Sequence, residues 1–166
     1  MIYDEEKFKE RVKERIAKAS KSSSFYIGSD SSVYRRDRKD KHGNVLRDKN
    51  GKVLVDKYAK YSLIFIIHYD SNKGCGWEQT VYELPEYGNL KQRLLNEANF
   101  AIGLAVEIMD LIGDRHLEVH FDINPDPRHK SNVAVKEALA YARGMGLDAR
   151  IKPEAFAASY AADKLT

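Results

Sequence analysis

The sequence predicts a single α/β domain: a mixed five-stranded sheet, three antiparallel strands and then alternating helices and strands, flanked by helices. Three observations lead there. Three strand-like runs, Phe25–Val33, Lys60–Asp70 and Trp77–Leu84, follow one another with turn signals between them and no helix. A long apolar-striped segment, Leu90–Ile112, comes next, and beyond it strand and helix patterns alternate. No Pro-, Ser- or Gly-rich linker divides the 166 residues, a length that suits one core.

Asp4–Ser20 reads as an amphipathic helix, because Phe8, Val12 and Ile16 recur every fourth residue between charges. Residues 1–22 are therefore expected to form an N-terminal helical appendage. In the first strand, Phe25 and Ile27 point one way while Tyr26, Gly28 and Asp30 point the other, and Asp30 ends the run FYIGSD. Residues 35–58 read as a basic hairpin insertion with turns at His42-Gly43-Asn44 and Lys49-Asn50-Gly51; its two halves are similar over too short a stretch to count as a repeat. Leu63–Ile67 makes the next strand a buried one, and Pro85 stops the third. Gly113 closes the long helix, and Leu117–Ile123 is the fourth strand. Ser131 is placed to cap a helix to Arg143, Leu147–Lys152 is the fifth strand, and Pro153 opens a last helix.

Composition narrows the function classes. With 43% hydrophobic and 32% charged residues the chain fits a soluble globular protein, and its longest purely apolar run, Leu63–Ile67, is too short to cross a bilayer. The charged start MIYDEEKFKE is unlike a signal peptide and the single Cys75 has no intrachain partner, so a cytoplasmic protein is expected. Net charge is only +3, yet Tyr34–Lys60 holds ten Lys and Arg against four Asp, a local +6 suited to a polyanion or to a solvated hairpin tip. The five His show no zinc spacing, and Gly74-Cys75-Gly76 is no phosphate loop. Cys75 reads as a turn residue, and His68 and His120 as plain sheet residues.

Four carboxylates stand where solvent exposure does not explain them. Asp30 and Asp122 end strands, where sites collect. At about 100° per residue, Glu97 falls inside the apolar arc of Leu94, Ala98, Ala101, Leu104 and Ile108, where an unpaired charge costs several kcal/mol. Asp163 shares a face with Phe156 and Tyr160 on the last helix. Each has a plainer reading: a Glu97–Arg93 salt bridge, an Asx turn at Asp122 in competition with Asp126, a surface Asp163 near a frayed end. Together they suggest a shared cation site of the kind hard divalent ions occupy.

That arrangement resembles the ribonuclease H-like superfamily, which has an Asp on strand one, a Glu in the first long helix, an Asp closing strand four and an Asp in the last helix. More narrowly, YIGSDSS, FDINP and KPEAFAASYAADKLT are similar to the YkuK-like family of bacterial and phage proteins, regarded as ribonuclease H-like nucleases. The resemblance implies that Asp30, Glu97, Asp122 and Asp163 are catalytic and hold two Mg²⁺ or Mn²⁺ ions for phosphodiester hydrolysis. The loop Lys152–Ala155 lacks the His many ribonucleases H carry, and Tyr160 stands one residue too close to Asp163 for the proofreading-exonuclease pattern. Nucleic acid (RNA, DNA or hybrid) is the expected partner, gripped by Arg35, Arg36, Arg38, Lys39, Arg128, Lys130 and Lys152. Tyr26, Tyr34 and Trp77 are candidate base-stacking rings, with core packing the competing fate of Tyr26 and Trp77. Two alternatives stand beside the nuclease. One is a non-catalytic binding module on the same fold. The other is a junction resolvase, which acts as a homodimer, with the N-terminal helix available as its interface.

Overall fold

The computed structural model describes residues 4–70, 73–86 and 88–162. The elements run α1 (Glu5–Lys18), β1 (Ser24–Asp37), β2 (Val55–Tyr69), β3 (Gly74–Pro85), α2 (Leu90–Ile112), β4 (Leu117–Phe121), a 3₁₀ turn (Lys130–Ala134), α3 (Val135–Gly144), β5 (Asp148–Arg150) and a short helix of π-type winding, α4 (Ala157–Ala162). One five-stranded sheet has the order β3-β2-β1-β4-β5. β1–β2 and β2–β3 pair antiparallel; β1–β4 and β4–β5 pair parallel. The mixed sheet expected from the sequence is therefore present.

The two faces of β1 do different work. Phe25 and Ile27 join Leu63, Phe65, Val119 and Phe121 under the apolar stripe of α2, the main core. The opposite face carries Tyr26, which packs with Ile64, Ile66, Phe156 and Ala157. α1 lies on the α2 side with Phe8, Val12 and Ile16 fully buried. Its charged rim is tied down as well: Arg11 and Arg15 bond Glu78, and Lys9 and Lys13 meet Glu107. The apolar stripe of α1 is thus spent inside the domain and is not the free dimer interface considered above.

α2 has the predicted bounds, with Asn89 accepting from Gln92 N–H and Gly113, at φ 60°, closing it. Other boundaries moved for identifiable reasons. β1 continues to Asp37, so Asp30 lies mid-strand rather than at its end; the polar run after Asp30 is held extended by pairing with β2, not by apolar alternation. β3 begins at Gly74, which puts the exposed Cys75 in a strand and not in a turn. Ser131 does not cap α3; its hydroxyl accepts from Asn124 N–H, and the helix starts at Val135 after the 3₁₀ turn. Pro153 precedes the last helix without opening it, because residues 152–154 turn first.

The 35–58 insertion is also reshaped. β1 and β2 form a long arm, and only 38–54 stand beyond it. The heptads Asp40–Leu46 and Asp48–Leu54 form two equivalent loops rather than one hairpin. Asp40 Oδ1 accepts from His42 and Asn44 N–H; Asp48 Oδ1 accepts from Asn50 and Lys52 N–H. Gly43 and Gly51, at φ 87° and 79°, permit the turns. Three backbone bonds, Arg38 N–H to Leu54 O, Leu54 N–H to Leu46 O and Leu46 N–H to Arg38 O, close a ring. The two halves are a structural repeat after all.

The last helix rests backbone-on-backbone against β1 at Gly28. A Cβ there would stand 2.3 Å from Ala157 C and 2.5 Å from Ala158 N, nearer than atoms can approach. Gly28→Ala is therefore expected to destabilise the protein by about 1–3 kcal/mol and to release the C-terminal segment. Gly103→Ala, where an added Cβ meets nothing within 4 Å, should stabilise α2 by roughly 0.5–1 kcal/mol. Thermal melts with amide exchange at residues 155–159 read both; equal melting temperatures for the two variants would contradict this packing.

Candidate functional site

β4 stops at Phe121 while β1 runs on to Asp37, and this length mismatch makes the site. The parallel ladder pairs Ser29 with Phe121. One further step of the same register brings Asp30 beside Asp122, a strand spacing of about 4.8 Å between backbones. Past that point, among the described residues, no strand covers the β4-side edge of β1, and α2 looks into the gap.

Glu97 reaches this notch from α2. It is 4% exposed. The plain salt bridge with Arg93 is not formed: Ser31 Oγ donates to Glu97 Oε1 at 2.5 Å, and Arg93 Nη1 donates to Ser31 Oγ at 2.8 Å and Ser31 O at 3.1 Å. Burial pushes the Glu97 carboxyl up to about 8; the Ser31 bond and the Arg93 charge pull it down, while Asp30 and Asp122 add to the rise. Glu97 thus feels two of the other three predicted carboxylates. The fourth, Asp163, lies outside the described residues, as does the side chain of Tyr160.

Asp122 is held from the other face. Ser159 Oγ of α4 donates to its Oδ1 at 2.7 Å, and Lys152 Nζ stands 2.9 Å from the same oxygen. It makes no Asx turn; Asp126 takes that role, accepting from Arg128 N–H and pairing with the Arg128 guanidinium. Beside Asp122 a groove of about 390 Å³ is lined by Asn124, Pro125, Lys152, Pro153 and Ser159. A larger one, about 640 Å³, lies on the far side against Lys9, Tyr82, Phe100 and Gly103, touching none of these carboxylates.

His120, read from sequence as an ordinary sheet residue, proves to be structural support for the site. It is 0% exposed. Its Nδ1 accepts from Ala157 N–H at 3.1 Å, so the proton sits on Nε2, which meets Glu118 Oε2 at 3.1 Å. Burial lowers its pKa against the pull of Glu118. Burial also raises Glu118, but bonds from His120 and Arg150 more than offset it and hold that carboxyl below its ordinary range. This chain fixes the start of α4, and hence Ser159, relative to β4. The sequence signal was only that His120 and Gly28 both sit opposite the α2 face of their strands.

The predicted phosphate-gripping residues divide. Arg36 pairs with Glu83, Arg38 with Asp56, Arg128 with Asp126 and Lys152 with Asp122, all at partly or fully exposed positions where such pairs are weak and exchangeable. Arg35, Lys39 and Lys130 make no ion pair among the described residues. Trp77 is 54% exposed rather than in the core, because β3 is an edge strand and none of the described residues covers its face there. Tyr26 is partly buried between His68, His116, His120 and Phe156.

Among the described residues no group of three or more His, Cys, Asp or Glu closes around one point. The donor chemistry nonetheless suits a hard divalent cation: oxygen ligands only, one of them buried with a raised pKa beside two further acids. The fully buried Ser62 hydroxyl, directly across from Asp30, also finds no hydrogen-bond partner among the described residues.

Because the folded Glu97 carboxyl titrates near 8 and an ordinary one near 4.5, the native state binds the extra proton between those values. Metal-free protein should lose stability as pH rises through that window, by on the order of a few kcal/mol. Glu97→Gln should flatten that slope between pH 6.5 and 8.5. Melting curves in chelator at several pH values decide, and an unchanged slope in the variant would exclude Glu97 as its source.

A family model described as Ribonuclease H-like matches residues 54–166. No curated protein and no solved structure gives a significant match. No described helix is long and apolar enough to cross a membrane. The match spans more than half of the sequence and includes Glu97, Asp122 and the sheet's β2–β5, and it agrees with the strand order already described: the chain belongs to the ribonuclease H-like family.

Proposed function

We propose that this protein is a metal-dependent nuclease that hydrolyses phosphodiester bonds at the notch between Asp30, Glu97 and Asp122. The observation that carries the reading is the buried Glu97, whose charge is disfavoured by desolvation and by both aspartates. A buried carboxylate with two further acids beside it and no bridging cation of its own is costly alone and well suited to bind a divalent ion. Asp30, Glu97, Asp122 and Asp163 are the residues that would hold Mg²⁺ or Mn²⁺. Such ions would supply a water of lowered pKa and stabilisation of the leaving oxygen.

The remaining work falls to the chain's own groups. Ser31, anchored by Arg93, aims the Glu97 carboxylate into the notch. Ser159 orients Asp122 from α4. Lys152 sits at the mouth of the adjoining groove, where its ammonium can meet a phosphodiester once Asp122 has another counter-charge. The exposed Arg35, Lys39 and Lys130 would add sequence-independent phosphate contacts that weaken with salt.

The Lys152–Asp122 pair favours the second reading, a nucleic-acid-binding module whose carboxylates stay idle. One assay separates the two. Asp30→Asn should fold with a normal melting curve yet lower Mn²⁺-dependent cleavage of single-stranded, duplex and hybrid substrates at least 100-fold, and chelator should abolish wild-type cleavage. Wild-type protein that binds these substrates without cutting them in Mg²⁺ or Mn²⁺ would leave the binding module standing.

A further inference from the structure

We infer that the β1–β2 arm carries a stacking subsite for unpaired nucleotides, built from Tyr34, Tyr58 and Arg36. The subsite deepens the nuclease reading, naming its substrate class as a strand that is single where it passes the arm.

Strand alternation puts Asp30, Ser32, Tyr34 and Arg36 on one face of β1, and the register sets Ser62, Lys60, Tyr58 and Asp56 opposite them. The candidate acid and the two tyrosines therefore share a face. Tyr34 lies four residues beyond Asp30, about 13 Å along the strand. The Tyr34 and Tyr58 rings stack with centroids 5.9 Å apart and planes 25° from parallel. The Arg36 guanidinium lies over both, 4.9 Å from the Tyr58 centroid and 5.6 Å from that of Tyr34. Glu83 pins the set from one side: it accepts from Tyr34 Oη and, at 3.0 Å, from Arg36 Nη2. Two π-faces and a guanidinium plane are thus held in order on a sheet surface at the edge of solvent.

A cross-strand tyrosine pair is also a common device for stabilising an arm. What points to nucleic acid is the charge around it. Of the four aspartates in the +6 stretch, Asp40 and Asp48 are occupied with their own loops and Asp56 with Arg38. Lys39, Lys41, Lys49 and Lys52 at the tip make no ion pair among the described residues and face outward. Ordered rings beside unneutralised lysines are the combination that holds a single strand, rings for base faces and lysines for phosphates. Duplex base faces are already covered by their neighbours and cannot use the rings.

Fluorescence anisotropy in chelator, where no strand is cut, tests this with labelled oligo(dT), oligo(rU) and a blunt duplex of equal length. Tyr58→Ala, Tyr34→Ala and Arg36→Ala should each weaken both single strands by about 5- to 150-fold and duplex by less than about twofold. Tyr58→Phe and Tyr34→Phe, which keep the ring, should retain affinity. Arg36, an exposed side chain, reads the subsite even if a tyrosine truncation unfolds the arm. Because binding is read in chelator and cleavage in Mn²⁺, failed cleavage and failed stacking are separable results. Equal affinity for single and double strands, or folded alanine variants with undiminished single-strand binding, would overturn the subsite.

Discussion

The contact of α4 with β1 at Gly28 is the constraint on which the site depends. A sheet face without a side chain at one position lets a helix backbone settle directly onto it. His120 completes the seat by accepting the Ala157 N–H, a donor that the first turn of a helix otherwise leaves open. These two groups fix the depth and the azimuth of α4. Ser159 then falls on Asp122 with no long or flexible side chain involved. The Ser159 contact with Asp122 inherits its position from that seat.

On the other face the governing term is desolvation. α2 buries Glu97 with a single hydroxyl partner, although Arg93 lies one turn away and could have neutralised it. Routing Arg93 to Ser31 keeps the arginine's charge near enough to moderate Glu97 but leaves the carboxylate unbridged. A bridged pair would be a stable, finished piece of core; an unbridged one is an unfinished site. The cost is borne by a helix whose remaining inward positions are all apolar and well packed.

Much of this was legible in the sequence, and the legible parts have a physical signature in common. α2 could be read to both ends because its stripe and its closing glycine are local. Glu97 stood out because one helix alone places it among Leu94, Ala98, Leu104 and Ile108. What could not be read depends on register between distant strands. β1 past Val33 is polar and charged and does not read as strand; pairing with β2 makes it one. The partners of Arg36 and Arg38 lie across such pairings, in Glu83 and Asp56. His120 and Gly28 acquire meaning only when parallel pairing sets them side by side. The repeat Asp-Lys-X-Gly-X-Val-Leu was visible at Asp40 and Asp48, and its brevity hid that each copy closes its own loop.

That self-closure explains how a basic projection can be ordered without a core of its own. Each aspartate satisfies two backbone N–H groups of its loop, and the ring of bonds among residues 38, 46 and 54 fixes the loops to each other. Using the acids this way has an electrostatic consequence. Carboxylates held by backbone donors inside a loop form no ion pairs with the lysines outside it, so the ammonium groups at the tip stay individually exposed. An arm ordered by salt bridges between its own side chains would carry the same net charge but would engage its ammonium groups with its own acids. The arrangement adopted instead separates the two tasks, with aspartates holding shape and lysines left to solvent, and it leads along one strand face from the tip to Asp30.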